Sequence, residues 1–151
     1  MARMRDFLAA TRERILIFDG AMGATLEQFE LSLEDDYRLP GRCHEALVLN
    51  RPDVIEGVHA SMLDAGADVV ETDTFQGSRL KLSEWGLGEH TYEINLGAAE
   101  IARTAAGEKR FVAGSIGPTG YLPASDDPTL GRIGFRELVA VHAHVGEPDS
   151  P

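Results

Sequence analysis

The sequence predicts an α/β fold with a parallel sheet, built from about three strand–helix units. Three apolar runs carry the prediction, because each ends in a small or acidic cluster and helix-like segments separate them. They cover residues 15–20, 69–75 and 111–118. Strands that alternate with helices are joined by right-handed crossovers and therefore lie parallel. Ligands bind outside the carboxyl ends of such strands, which is where these clusters fall.

The whole-chain properties narrow the function classes. A length of 151 residues suggests one domain and is short for a closed (β/α)₈ barrel, which typically needs about 250 residues. The net charge of -11 argues against a nucleic-acid backbone or an anionic membrane as partner. Cys43 is the single cysteine, which rules out an intrachain disulfide and a four-cysteine zinc site and fits a cytoplasmic setting. No apolar run approaches the roughly 20 residues of a membrane span.

Local signals place the elements in order. Asn50 is the predicted cap of a helix that has Pro52 in its first turn, and Gly66 and Gly107 are predicted to end the two long helices. The predicted helices cover residues 6–14, 24–29, 52–65, 93–106 and 135–145, the strands 15–18, 67–72 and 111–116, and the loops 31–44 and 117–134.

The open sheet edges indicate how the chain is organised. Three strands cannot close a barrel, so the sheet keeps unpaired edges. We interpret the chain as the first part of a larger α/β fold, with a small self-contained three-stranded domain as the alternative. The predicted division is a leading helix over 1–14, a partial barrel domain over 13–145 and an irregular tail over 146–151.

The first candidate site is the turn after the first strand, with Asp19 and Gly20. An acid here can accept hydrogen bonds from a substrate amine, and the glycines let a ligand approach the backbone. The alternative is an acid that caps the next helix. The turn is neither a P-loop nor a dinucleotide fingerprint, since neither glycine spacing is present.

The second candidate site is the acidic end of the second strand, with Glu71, Thr72 and Asp73. Carboxylates two residues apart in an extended chain lie on one side. If both are buried, the pKa of one should rise, as a general acid requires. The alternatives are a solvated pair of strand-end acids or, on weaker grounds, a magnesium site.

The remaining candidates are weaker. Backbone amides of the loop 114–120 could hold a carboxylate or phosphate, although a plain turn-rich connection is the alternative. Cys43, His44 and Glu45 are potential zinc ligands, but adjacent residues rarely coordinate one ion. His59 is predicted to be structural. His142 and His144 diverge on a helix, and Phe75 and Trp85 are predicted core or pocket wall.

Four motifs in order make the sequence resemble a known family. They are residues 19–23, 51–55, 65–75 and 113–120. Together they resemble the homocysteine-binding barrel domain of homocysteine S-methyltransferases, most of all the N-terminal part of the cobalamin-dependent methionine synthases, over residues 13–140. The resemblance implies that the chain is the N-terminal part of a (β/α)₈ TIM-type barrel.

The resemblance also implies a chemistry. A zinc ion would bind the homocysteine sulfur and lower its pKa, and the thiolate would take a methyl group from methylcobalamin to give methionine. By position, Asp19, Gly20, Glu71, Thr72 and Asp73 would contact homocysteine, which is the expected partner along with the cobalamin- and folate-binding domains of the larger enzyme.

The sequence departs from the family in three places. Asp73 stands where the family usually has asparagine, and Ala24 interrupts the usual Gly-Thr pair. The three zinc cysteines of the family lie in the later half of the barrel, and Cys43 matches none of them. We therefore expect no complete catalytic set in the chain, no tight binding of zinc or cobalamin, and no activity of the chain alone.

Two alternatives stay open. A betaine- or S-methylmethionine-dependent homocysteine methyltransferase would share the barrel and the zinc chemistry, although the segment 31–47 looks more like the cobalamin-dependent type. A non-catalytic binding or assembly fragment could pair through its open sheet edges with a second chain.

Overall fold

The computed structural model describes residues 7–123 and 131–143, which contain seven α-helices and two small parallel sheets. The α-helices are α1 (Phe7–Glu13), α2 (Met22–Leu26), α3 (Leu47–Asn50), α4 (Pro52–Asp64), α5 (Arg79–Ser83), α6 (Thr91–Ala106) and α7 (Phe135–Ala143). The strands are β1 (Val69–Glu71), β2 (Phe111–Ala113), β3 (Tyr121–Pro123) and β4 (Gly131–Ile133).

The principal sheet confirms the predicted parallel pairing. β1 and β2 lie parallel, in a register that runs from Val69 opposite Phe111 to Glu71 opposite Ala113. The first apolar run lies on the other side of β1, but only Phe18 forms a bridge, with Val69, and this bridge is also parallel. The prediction of a full strand over 15–18 is therefore wrong in extent, whereas its position and direction are right.

The second sheet was not predicted. β3 pairs with β4 in parallel, with Tyr121 opposite Gly131 and Pro123 opposite Ile133. The prediction of an uninterrupted loop over 117–134 is therefore wrong at these two strands. The segment 124–130 of that loop, the predicted tail 146–151 and residues 144–145 of the last predicted helix lie outside the described residues.

The helix ends test the capping predictions. Gly66 follows the end of α4 with a φ of +110°, and Gly107 follows α6 with a φ of +55°, so both glycine predictions are confirmed. Pro52 begins α4 as predicted. The Asn50 prediction is wrong, because its amide Nδ2 donates to the Tyr37 carbonyl at 3.0 Å and leaves Arg51 as a cap without a side-chain bond.

The segment 31–44 is more ordered than the predicted polar loop. It contains a single π-helical turn, Leu33–Tyr37, whose first residues are held by the Ser32 hydroxyl as it accepts from the Asp35 amide at 2.9 Å. A 3₁₀ turn, His44–Ala46, follows. Tyr37 is buried and anchors the segment to the helices.

The core lies between the helices and the principal sheet. α4 and α6 pack side by side, and their buried faces carry the apolar positions that recur at helical spacing. The buried clusters join the segment 26–58, the pair α5 and α6, and the inner face of β1: they include Leu26, Tyr37, Leu47, Ile55, Val58, Leu82, Ile94, Ala98, Val70 and Ala102.

Asp68 forms ion pairs with Arg14 and Arg110 at the amino ends of the three parallel runs. Both guanidinium nitrogens of Arg14 lie 2.7 Å from the buried Asp68 carboxylate, and Arg110 donates to it at 3.0 Å. The Ile17 amide adds a fourth bond at 3.1 Å. Arg14, Asp68 and Arg110 each precede one of the three parallel runs. The Asp68 carboxylate therefore holds the amino ends of the three runs in position relative to one another. The Arg14 hydrogen bonds hold the pKa of Asp68 well below its usual range.

No helix in the described ranges is long and apolar enough to cross a membrane.

Candidate functional site

A cavity of about 260 Å³ opens at the carboxyl ends of the parallel runs. This is the position at which α/β folds bind ligands. The residues that line it come from the turn after the first run, the 3₁₀ turn, the end of β1 and the loop after β2: Asp19, Gly20, Ala21, Met22, Gly23, His44, Glu45, Glu71, Thr72, Asp73, Phe75, Gln76 and Ser115. The cavity thus brings together all five predicted substrate-contacting residues.

Asp19 is a fixed carboxylate in the cavity wall. Its Oδ1 accepts from the backbone amide of Glu71 at 2.9 Å, and its side chain is only 7% exposed. Burial raises the pKa of Asp19. The alternative role as a helix cap is wrong, because Ala21 precedes α2 and no side chain caps that helix. Asp19 is therefore free to face a ligand through its second oxygen.

His59 lies behind Asp19, on α4. Its side chain is fully buried, and neither ring nitrogen has a hydrogen-bond partner. Nδ1 is 4.0 Å from Oδ2 of Asp19. Burial lowers the pKa of His59 to about 4, so the ring is neutral near pH 7. The prediction of a structural histidine did not indicate that the ring lies buried beside Asp19.

Asp73 and Glu45 form a buried acidic pair. Asp73 is 5% exposed and Glu45 is 2% exposed. Burial, and then the charge of Glu45, raise the pKa of Asp73 to about 8. The sequence paired Asp73 with Glu71, which is wrong because the Glu71 side chain is exposed. The solvated-pair alternative is also wrong for Asp73, whose partner comes from a distant segment.

Both oxygens of Glu45 already accept hydrogen bonds. Oε1 accepts from the Gln76 amide at 2.7 Å, and Oε2 accepts from the Cys43 thiol at 3.5 Å. Oδ2 of Asp73, in contrast, is buried without any partner. The two acids therefore differ: Glu45 is an anchored acceptor, whereas Asp73 has unused hydrogen-bonding capacity.

Thr72 connects β1 to the loop after β2. The Thr74 hydroxyl donates to the Ser115 carbonyl at 2.8 Å, so the 2.6 Å contact between the two threonine hydroxyls has Thr72 as donor. Thr72 Oγ1 also accepts from the Ser115 amide at 3.0 Å. The Thr72 hydroxyl is thus used within the protein, and its place in the site is to hold the Ser115 side of the wall.

The loop after β2 approaches β1 too closely for a larger residue. A Cβ at Gly117 would lie 2.2 Å from the Phe75 carbonyl oxygen, which no real side chain tolerates.

The predictions of Phe75 and Trp85 as core or pocket wall are confirmed. Phe75 is 56% exposed and lines the cavity, and Trp85 packs against the core. The Ser115 amide, one of the predicted anion-binding groups, is occupied by Thr72.

The sequential trio Cys43, His44 and Glu45 does not form a common ligand set. Cys43 is buried, and burial raises the pKa of its thiol to about 12. His44 turns instead toward the Tyr37 hydroxyl, 3.1 Å from Nδ1. Within residues 7–123 and 131–143, no group of three His, Cys, Asp or Glu side chains could hold a metal. These residues therefore do not fit a zinc ion.

Fold and site together define an α/β protein with a polar cavity at the carboxyl ends of parallel strands. The homocysteine S-methyltransferase family matches residues 16–146, and the chain belongs to this family. The chain is 38% identical over 137 residues to the methionine synthase of Mycobacterium leprae (strain TN), a match that covers 87% of the chain.

Solved structures agree with this assignment. The oxidized form of the homocysteine methyltransferase MmuM from Escherichia coli matches with a TM-score of 0.62 and 29% identity over 77% of the chain. Its metallated form matches with a TM-score of 0.58 and 28% identity over 73% of the chain. The chain spans 11% of the methionine synthase and about two fifths of MmuM, namely 42% and 40% in the two forms.

Proposed function

We propose that the cavity binds L-homocysteine and that the chain is the N-terminal part, about three βα units, of a (β/α)₈ barrel in a methyltransferase of the methionine synthase type. The observation that carries the proposal is Asp19. It is a buried carboxylate with one oxygen fixed by the Glu71 amide, in a cavity at the carboxyl ends of the strands.

The charges of the cavity match an amino acid held by its ammonium group. Asp19 and Glu71 supply carboxylates, and none of the described residues that line the cavity is a lysine or an arginine. A buried carboxylate with free acceptor capacity is stabilised by a cation or a strong donor. We therefore assign the substrate ammonium to Asp19, with Gly20 and Thr72 shaping the adjacent wall.

The chain's proposed role in methyl transfer is limited to the groups that its described residues can bind. Its residues bind and orient the amino-acid end of homocysteine, while methyl transfer needs a thiolate. The described residues do not fit the zinc ion that the resemblance implies, and no step through a metal is assigned to them. In the proposed enzyme, thiol activation and the cobalamin methyl donor come from groups other than the described residues.

The methyl donor is proposed from the sequence resemblance, since the segment 31–47 looks more like the cobalamin-dependent type than like a betaine- or S-methylmethionine-dependent enzyme. The 38% identity to a methionine synthase, against 29% to MmuM, supports the methionine synthase type.

Isothermal titration of the purified chain with L-homocysteine tests the binding proposal. We expect Asp19→Asn to weaken binding by at least about tenfold, since each tenfold loss corresponds to about 1.4 kcal/mol. The matched control is Asp64→Asn, which removes the same charge from an exposed position at the end of α4. Equal affinities of wild type and Asp19→Asn would contradict the assignment of the ammonium group.

A second experiment tests the absence of activity in the chain alone. We expect no methionine when the purified chain is supplied with zinc, methylcobalamin and homocysteine. Methionine formed above the rate without protein would contradict this expectation.

The assembly alternative also rests on a structural observation. Apolar side chains are exposed beside the outer edges of the principal sheet: Ile15 is 88% exposed and Ile116 is 70% exposed. Exposed apolar strand edges favour association with another chain. Light scattering after size exclusion distinguishes the cases, since a stable monomer at micromolar concentration would contradict the assembly role.

A further inference from the structure

Asp73 is a buried carboxyl of the cavity wall, and its Oδ2 is shielded from solvent without a hydrogen-bond partner in the described structure. Its Oδ2 has no partner, while Oδ1 of Asp19 and both oxygens of Glu45 accept hydrogen bonds from the protein. A buried ionised carboxylate without a donor or a cation is costly. The arrangement therefore favours a carboxyl that keeps its proton.

The surroundings of Asp73 are acidic on several sides. Glu45 approaches it from the 3₁₀ turn, and Asp19 and Glu71 line the same cavity. The other titratable neighbours are His44, which lines the cavity, and Tyr37, whose pKa is raised first by burial and also by the charge of Asp73. No lysine or arginine among the described lining residues offsets these charges. Each additional negative charge stabilises the neutral form of Asp73.

We propose that Asp73 acts as an un-ionised carboxyl that donates a hydrogen bond to the α-carboxylate of the bound amino acid. This role rests on the proposed function, because the ligand is homocysteine. It assigns the two ends of the ligand to two acids of opposite behaviour. Asp19, ionised, accepts from the ammonium group, and Asp73, neutral, donates to the carboxylate.

The chemistry of the two carboxyl groups keeps the proton on Asp73. Burial and Glu45 raise the pKa of Asp73 to about 8, whereas an α-carboxyl group has a pKa of about 3.5. The ligand therefore stays a carboxylate, and an O–H donor to a carboxylate forms a strong, short hydrogen bond. No proton is transferred between them.

A neutral aspartic acid also resembles an asparagine side chain in its hydrogen-bonding groups. Both side chains then present one acceptor and at least one donor in the same planar group. Asp73 would thus provide the hydrogen bonds of an amide, but only below the pH at which it ionises. This makes it a specificity-determining residue for ligands with a carboxylate.

The test measures homocysteine affinity of wild type and Asp73→Asn from pH 6.5 to pH 9. The ratio of the two affinities isolates residue 73, because the ligand's own titration affects both proteins equally. We expect affinities within about threefold at pH 6.5. At pH 9 we expect wild type to bind up to about tenfold more weakly than the variant, since one pH unit above the pKa ionises about nine tenths of the carboxyl and leaves one tenth in the donating form.

A third protein and a ligand-free measurement complete the test. Asp73→Leu keeps the branched shape but is larger and has no donor, and should bind at least about tenfold more weakly at both pH values. Infrared difference spectra between wild type and Asp73→Asn, without ligand, should show the carbonyl band of a protonated carboxyl at pH 6.5. That band should disappear at pH 9.

The outcomes separate the two proposals. Binding with a ratio that is constant across pH, or absence of the carbonyl band at pH 6.5, overturns the role of Asp73 alone. Strong binding by wild type with loss of binding in Asp73→Asn at every pH shows an ionised Asp73 and also overturns it. Absence of binding by wild type at every pH overturns the proposed function, and with it the ligand named here.

Discussion

Nδ1 of His59 lies 4.0 Å from Oδ2 of Asp19, between a fully buried imidazole on α4 and a carboxylate in the wall of the cavity. The distance is too long for a hydrogen bond, which needs about 3 Å. The other carboxylate oxygen of Asp19 is already held by the Glu71 amide. The Asp19 carboxylate in the cavity wall is therefore held on one side by a backbone amide and bordered on the other by a neutral ring.

The burial of His59 predicts a specific loss of stability in acid. Burial lowers its pKa to about 4, below the value of about 6.5 for an exposed imidazole. Between these values the unfolded chain binds a proton that the folded chain does not, so the free energy of unfolding falls as pH decreases from about 6.5 to 4. The loss is on the order of 1–3 kcal/mol.

Urea unfolding at pH 7.5 and pH 5.0 measures this loss. His59→Gln, which does not titrate, should lose less stability between the two pH values than wild type. His90→Gln is the control, because the His90 side chain is 50% exposed and pairs with Glu93 at the surface. An identical pH dependence in wild type and His59→Gln would contradict a buried neutral imidazole.

We expect the ion pairs of Asp68 to stabilise the folded chain by holding the amino ends of the three parallel runs together. Asp68→Asn removes the charge that Arg14 and Arg110 share, and should lower the melting temperature at pH 7. The pKa of Asp68 is depressed, so its contribution is complete above about pH 4, the unfolded value, and is lost as pH falls through the lower folded value.

Thermal unfolding followed by circular dichroism at pH 7 checks the Asp68 prediction. Asp64→Asn makes the same charge change at an exposed position and should leave the melting temperature almost unchanged. Equal shifts in the two variants would mean that net charge, rather than the Asp68 contacts, sets the stability.

Gly117 is expected to tolerate no side chain. A Cβ there would meet the Phe75 carbonyl at 2.2 Å, so Gly117→Ala must displace the loop that carries Ser115. We expect a loss of about 1–3 kcal/mol in the free energy of unfolding, as in other overpacked sites, together with weaker homocysteine binding. Gly114→Ala is the matched control on the same loop, because its Cβ would meet nothing within 4 Å. Equal stability of the two variants would refute the close contact.

Cys43 is expected to be unreactive in the folded chain. Burial raises the pKa of its thiol to about 12, and the thiolate is the form that alkylating reagents attack. Iodoacetamide at pH 8 should therefore label Cys43 in urea but not in buffer, as measured by mass spectrometry. Rapid labelling of the folded chain would show that the thiol is accessible and would reopen its candidacy as a metal ligand.

The sequence predicted those features that depend on local patterns. The glycines at 66 and 107, Pro52 at the start of α4 and the parallel pairing of β1 with β2 all follow from turn chemistry and apolar periodicity. The Asn50 cap failed because a tertiary contact, the Tyr37 carbonyl, took its amide.

The site was predictable only where a residue follows a strand. Asp19, Gly20 and the segment 71–73 follow strand runs, and the structure places them around one cavity. Glu45 and His59 were not expected there, since Glu45 arrives through a segment predicted as loop and His59 lies in the middle of a helix. The sequence analysis singled out Glu45 only within the trio of potential zinc ligands at 43–45, not as a neighbour of Asp73.

Chemical-shift mapping of the ¹⁵N-labelled chain during titration with L-homocysteine shows whether the amino acid binds in the cavity beside Asp19. We expect saturable shifts of the backbone amides of Gly20, Gln76 and Ser115, which line the cavity, and loss of these shifts in Asp19→Asn. Shifts confined to the apolar groove of Leu96, Ala99 and Ile116, or no shifts at millimolar ligand, would contradict it.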